Sequence, residues 1–335
     1  MNLTSIGDGA QFLTTQRHNT TLKSRLNTLA EQLSTGQIAD KAQALNGNTQ
    51  RLSAIDHRLT VLGTKQERNA ETALTVANMQ RALANVDTQR GALSETLTLI
   101  SRDSPTYQIA DGARQAVGTF GSLVATLNTQ VGGQSLFSGK AVDGVALAPP
   151  ADMLADLTAA IGGATAQADI IAAVDTWFDD PAGGFATVAY LGDTGEPLEK
   201  RLDETLSLSL DARADDPEIR ATLKGAAIAA MADQLPGLSQ TVKAGLLFEG
   251  GLRLQTTASD MAAVQARLGY VEGEVARVSV AQTAEASALG IARNDLVNAD
   301  PFETASTLQA VQLQLETHYA MTARLSRLSL AEYLR

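Results

Sequence analysis

The stretch LFEGGLRLQTTASDMAAVQARLGYVEGEVARV, residues 247–278, decides the fold. Within it Leu247, Leu254, Met261, Leu268 and Val275 recur every seven residues, and Val264, Val271 and Val278 interleave as the second seam position. Residues three and four apart share one side of an α-helix, so this repeat writes a single apolar stripe that requires a facing helix. Such a stripe points to assembly rather than catalysis.

Working outward, the same spacing appears near the start, where Leu22, Leu26, Leu29 and Leu33 share one seam. Leu3, Ile6, Ala10 and Leu13 precede it in a different phase, so this segment is either two helical pieces or one helix with a slip. It stops at Ser34-Thr35-Gly36, where Gly36 can supply a left-handed C-terminal residue, and Gln37 to Asn48 reads as a connector. A second long helix is expected from about Asn48 to Ile100. Its seam is Leu52, Ile55, Leu59 and Leu62, then, after one phase change, Val76, Met79, Leu83, Val86, Leu93, Leu97 and Ile100. A third follows through Ala113, Val117, Phe120, Val124, Leu127 and Val131, and Gly132-Gly133 breaks it.

From Gly132 to about Leu210 the rhythm fades. Phe185 to Leu191 reads as a strand before the Gly192-Asp193-Thr194-Gly195 turn, Leu206 to Leu210 alternates as a second strand, and helix is expected between Met153 and Phe178. Asp215-Asp216-Pro217-Glu218 starts a helix, with Pro early and acids at the positive end. One long helix is then expected over Ser239 to Arg293, and a last one from Phe302 towards Tyr333.

Composition narrows the function. The chain has 335 residues, 44% of them hydrophobic and only 4% aromatic, which suits helical bundles rather than a thick core of large rings. A net charge of -11 argues against nucleic acid, whose binding needs clustered Lys and Arg. No run reaches the roughly 18 to 20 apolar residues that span a bilayer, so membrane insertion is not expected. Met1 to Leu13 lacks the basic start and apolar block of a signal peptide. Either the protein stays in the cytoplasm or it leaves by a route without a cleaved signal. There is no cysteine, which rules out disulfides, thiolate metal sites and a Cys nucleophile.

The search for chemistry finds structural roles instead. His18, His57 and His318 are the three histidines, on separate helices and far apart in sequence, with His318 at a seam position and the others at solvated ones. Asp179-Asp180 and Asp215-Asp216 each precede a proline, so turns and helix starts explain them better than acid-base work. Gly132-Gly133 and Gly183-Gly184 lack the residues of a phosphate-binding loop or dinucleotide fingerprint. Trp177-Phe178 reads as a core anchor. No catalytic residue, cofactor site or metal site is expected.

Four segments carry a resemblance: LKSRLNTLAEQLSTG (22–36), GQSLFSG (133–139), YLGDTG (190–195), and DLVNADPFETA (295–305) continuing through LQAVQLQLET (308–317) to LSRLSL (325–330). They resemble the flagellin-like axial proteins of the bacterial flagellum, and among these the hook-associated proteins that join hook to filament. After Gly36 the family usually continues with a basic residue and a Ser/Asp-rich loop, where this chain has Gln37-Ile38-Ala39-Asp40-Lys41.

The resemblance implies a non-enzymatic structural subunit at the hook-filament junction, exported by the flagellar secretion apparatus. Its implied partners are copies of itself in a ring or helical layer, an adjacent hook-associated protein, flagellin, and an export chaperone that masks the C-terminal helix. A flagellin filament subunit and a cytoplasmic coiled-coil scaffold are the alternatives. The expected fold is mainly α, a long antiparallel coiled-coil rod formed by the N- and C-terminal regions, with a small α+β insert. The expected division is 1–36 and 295–335 as assembly helices, 37–132 and 215–294 as the rod, and 133–214 as the insert. The expected assembly interface is Leu3, Ile6, Leu13, Leu22, Leu26, Leu29 and Leu33 with Leu308, Val311, Leu315, Tyr319, Leu325, Leu328 and Leu330, whose stripes lack a partner within the chain.

Overall fold

The computed structural model describes the backbone of residues 4–333 and the side chains of residue 10 and residues 13–324. The described chain is mainly helical, with long helices and a few short strands, as expected. In order it runs α1 (Thr4–Thr35), α2 (Lys41–Ala44), α3 (Gln50–Thr98), α4 (Thr106–Leu127), β1 (Gln130–Val131), β2 (Gln134–Ser135), α5 (Pro150–Ile161) and α6 (Gln167–Asp179). A single π-helical turn (Phe185–Ala189) precedes β3 (Leu198–Arg201), β4 (Ser207–Leu210), α7 (Pro217–Gln234), α8 (Gln240–Thr256), α9 (Ala258–Val297) and α10 (Pro301–Tyr333). The chain forms two compact units, one of residues 1–63 with 283–335, the other of residues 64–282.

The larger unit is built on the seven-residue repeat. Leu247, Leu254, Met261, Val264, Leu268, Val271, Val275 and Val278 are all buried. Each such side chain contributes about 1.5–3 kcal/mol on removal from water. On α3 the expected phase change is absent. Lys65, Asn69 and Thr72 are buried and continue the 3-4 spacing from Leu62 to Val76, so the seam is unbroken but partly polar. These groups stay folded because they are partnered. The Lys65 ammonium donates to Asp203 Oδ1 and Glu204 Oε1, both at 2.9 Å, and those bonds keep it protonated above its ordinary pKa. Asn69 Nδ2 donates to Gln282 Oε1 at 3.0 Å and to the Leu202 carbonyl at 3.2 Å. Gln282 belongs to α9, and the other acceptors come from the β3–β4 hairpin, whose Leu202, Leu208 and Leu210 bury against Val76, Val271, Val275 and Val278.

Two further expectations change. Phe185 to Leu191 forms no strand: the π-helical turn places Phe185 and Ala189 in the core, with Phe185 stacked on Phe178 at 5.3 Å and edge-on to Trp177 at 6.2 Å. A short apolar run suits strand or helix equally, and here packing against Trp177 and Phe178 decides. The helix expected over Ser239 to Arg293 breaks at Thr257 into α8 and α9. There the Leu254 carbonyl accepts Thr257 Oγ1 at 2.9 Å and Arg90 Nη1 at 2.7 Å instead of continuing the helical ladder. Segment 133–214 packs into a shared core. Phe137, Leu154, Trp177, Phe178 and Phe185 join one buried cluster with residues of α3, α4, α7, α8 and α9.

Close helix packing depends on small residues. A Cβ on Gly250 of α8 would lie 2.7 Å from the Gly225 carbonyl oxygen and 2.8 Å from Ala229 Cβ, both on α7. Gly91, inside α3, has nothing within 4 Å of that position. The two glycines therefore respond oppositely to the same substitution. Gly250→Ala lowers unfolding free energy by about 1–3 kcal/mol through overpacking, whereas Gly91→Ala raises it by about 0.5–1 kcal/mol through helix propensity. Urea-unfolding midpoints check both, and shifts of the same sign would contradict the packing described.

Candidate assembly surface

A 32-residue helix with one apolar stripe needs a partner, and α1 lies antiparallel against α10. The turn that ends α1 also anchors the start of α10. Gly36, at φ 68°, donates its N–H to the Gln32 carbonyl at 2.8 Å, a left-handed helix stop. Its own carbonyl accepts the Ala299 N–H at 3.0 Å, and the Ile38 N–H reaches the Val297 carbonyl at 2.8 Å. Asp300 then caps α10 by accepting the N–H groups of Phe302 and Glu303 at 2.8 and 3.1 Å. Nearby, Arg58 pairs with Glu285 and Arg293 with Asp56, each at 2.7 Å.

The pairing corrects one expectation: the terminal stripes do have a partner inside the chain, namely each other. The coverage is incomplete. Leu22 and Val311 are buried, and Leu26, Leu29, Leu308 and Leu315 are half-buried. Leu13 is 55% exposed, Leu33 42% and Tyr319 43%. Leu313 and Met321, which the seam reading passed over, are 65% and 60% exposed. Leu3 and the side chains of Ile6, Leu325, Leu328 and Leu330 lie outside the described residues. Two helices can bury only one strip of each, so a broad apolar stripe leaves its flanks in water.

Polar groups mark the same contact. His18 of α1 and His318 of α10 have ring centroids 5.0 Å apart, and Lys23 Nζ sits 5.8 Å from the Tyr319 ring centroid. Two histidines far apart in sequence thus meet, which their spacing could not reveal. His57 is exposed on α3.

In the larger unit, two of the segments that carry the family resemblance converge. Asp193 donates its N–H to the Ser138 carbonyl at 2.9 Å, joining 133–139 to 190–195. Arg213 Nη1 donates to the carbonyls of Asp193 and Gly195, and Tyr190 Oη donates to the Asp193 carbonyl. The Asp215-Asp216 pair sits beside this turn as a structural element. Asp216 Oδ2 accepts the Arg213 N–H at 3.2 Å and lies 3.6 Å from Arg267. Burial pushes its carboxyl up to about 7, with Asp215 and Glu218 adding in the same direction and the Arg213 N–H and Arg267 opposing. Burial raises Asp215 and Tyr190 as well. Asp179 pairs with Lys224 at 2.6 Å, and Asp180 Oδ1 accepts the Ala182 N–H, as its turn role requires. Trp177 Nε1 donates to Asp156 at 2.7 Å. Among the described residues no group of three or more His, Asp or Glu could hold a metal ion, and no helix is long and apolar enough to cross a membrane.

No protein-family model and no curated protein sequence matches the chain. A solved structure does: a chain assigned as a flagellar hook-associated protein from Vibrio parahaemolyticus, with TM-score 0.50 and 12% identity over 73% of this chain and 95% of that one. At that identity the likeness is one of fold.

Asp216 sets a pH dependence. Its folded pKa lies above the unfolded value, so the folded state binds the proton more tightly, and the contribution to stability is greatest below about pH 4 and is lost as pH rises to about 7. Asp216→Asn removes that slope. Urea unfolding of both proteins between pH 4 and 8 checks it, and identical slopes would contradict a buried, proton-binding Asp216.

Proposed function

We propose that the chain is a non-enzymatic structural subunit of the bacterial flagellum, placed at the junction between hook and filament and assembled through its terminal helices. The observation that carries this is the incompletely covered α1–α10 pair, with Leu13, Leu313 and Met321 more than half exposed along it. An apolar surface of this kind on two long helices fits burial between neighbouring copies. The fold likeness to the Vibrio parahaemolyticus chain and the sequence resemblance at both ends and in the 133–139 and 190–195 segments support the same reading.

On this proposal the subunit packs in a ring or helical layer against its own copies, an adjacent hook-associated protein on one side and flagellin on the other. It leaves the cell by flagellar export. A cytoplasmic chaperone covers the apolar face of α10 before export, because that face would otherwise associate prematurely. Binding energy comes from completing the burial of the seam, at about 1.5–3 kcal/mol per fully buried leucine.

Deleting the gene and viewing cells by electron microscopy, while assaying the medium for flagellin, tests the assignment. The expected result is hooks without filaments and flagellin lost to the medium. Normal hooks with no secreted flagellin would instead make this the filament subunit, and intact flagella would contradict a flagellar role.

A further inference from the structure

The β3–β4 hairpin is attached to the rest of its unit differently at its two ends. At the base, Arg213 Nη1 donates to the carbonyls of Asp193 and Gly195 and so ties the two legs together, while the Ala214 N–H donates to the Phe137 carbonyl at 2.9 Å. Phe137 belongs to the main buried cluster, so the base is fixed. At the tip the attachment is polar. Lys65, with its side chain only 8% exposed, donates to Asp203 and Glu204, whose side chains are 45% and 65% exposed. The Leu202 carbonyl accepts Asn69 Nδ2 and Gln282 Nε2 at 3.2 and 3.3 Å.

Between these ends the apolar hold is small. Leu202, Leu208 and Leu210 pack with four valines in a cluster separate from the main one. Where Leu198 pairs with Leu210, a cavity of about 30 Å³ lies between the hairpin and Thr75 and Met79 of α3, and Ser135, whose buried Oγ has no hydrogen-bond partner, also lines it. Walls without atoms opposite them lose dispersion contacts, which weakens the hold further. Lifting the tip uncovers Lys65, Asn69 and Gln282, and water solvates all three well. Beyond the hairpin α3 and α9 stay joined: Gln80 Nε2 donates to the Gln265 carbonyl at 2.7 Å, and Met79 and Leu83 share the main cluster with Met261, Val264 and Leu268.

We propose that the β3–β4 hairpin is a latched strap, which hinges at the base held by Arg213 and lifts off α3 and α9 as a local unit when Lys65 releases Asp203 and Glu204. The polar stretch of the α3 seam is then the landing site of the strap, covered when it is down and hydrated when it is up. The proposal stands independently of the flagellar assignment, because it concerns one hairpin within one chain.

Native-state hydrogen exchange of the full-length chain, read by mass spectrometry and corrected for intrinsic rates, tests it. A two-stranded hairpin is marginally stable once detached, so its amides exchange when it lifts. The expected result is exchange over residues 198–210 faster by about tenfold or more than over 76–93 in α3 and 261–278 in α9. Lys65→Met keeps the apolar stem and removes the charge, and it speeds the hairpin by about a further tenfold while leaving both helices unchanged. Asp203→Asn combined with Glu204→Gln does the same from the exposed side of the latch, where the core is untouched. Arg114→Gln, which removes an exposed ion pair with Asp111 on α4, leaves the hairpin rate as it was. One common exchange rate for hairpin and helices, or latch variants that speed the helices as much as the hairpin or leave the hairpin rate unchanged, would overturn the proposal.

Discussion

A helix of more than thirty residues carrying an apolar stripe does not hold its shape alone in water, and α1 and α10 satisfy that constraint by lying against one another. The first and last long helices must therefore meet before either is stable. The turn at Gly36 and the cap at Asp300 make this possible, since backbone bonds from Ile38 to Val297 and from Ala299 to Gly36 hold the two helix ends side by side. Because the partner is another amphipathic helix rather than a sheet or a core, the seam is covered on one side only. That residual exposure is the physical basis of the proposed assembly.

Within the larger unit a second constraint operates. The α3 seam carries Lys65, Asn69 and Thr72 where an uninterrupted coiled coil would carry leucine or valine, and burying them is tolerable only with partners in place. The β3–β4 hairpin supplies partners to Lys65 and Asn69 with Asp203, Glu204 and the Leu202 carbonyl, and covers the adjoining valines with its own leucines, while Thr72 donates to the Arg68 carbonyl of its own helix. A polar pair such as Asn69 and Gln282 also disfavours other registers of α3 against α9, because a slip would leave both amides unpaired in an apolar seam. The hairpin thus explains why a short polar stretch interrupts the apolar pattern without interrupting the helix.

Long-range order was legible from spacing wherever the seam was apolar: the α9 repeat, the α3 seam beyond Val76, the Gly36 stop and the helix start at Pro217 all follow from local chemistry. What escaped the sequence reading depends on partners distant in the chain. Lys65 and Asn69 resembled a phase change because polar seam residues are invisible to an apolar count. The break at Thr257 arises from Arg90 taking the Leu254 carbonyl, and the Phe185 turn from packing on Trp177 and Phe178. The meeting of His18 with His318 and the mutual cover of the terminal stripes required the fold itself. Leu313 and Met321 were missed because they lie beside the seam rather than on it.

The central claim is that the exposed flank of the α1–α10 pair, and not the fold of the single chain, drives assembly. Complementing a deletion strain with the triple variant Leu13→Ser, Leu313→Ser, Met321→Ser and counting filaments by electron microscopy tests this most directly. All three side chains are more than half exposed, so each substitution should change the stability of the isolated chain by no more than about 0.5 kcal/mol. The account predicts a folded, exported protein that leaves hooks bare. Filaments in normal number on cells carrying that variant would contradict it.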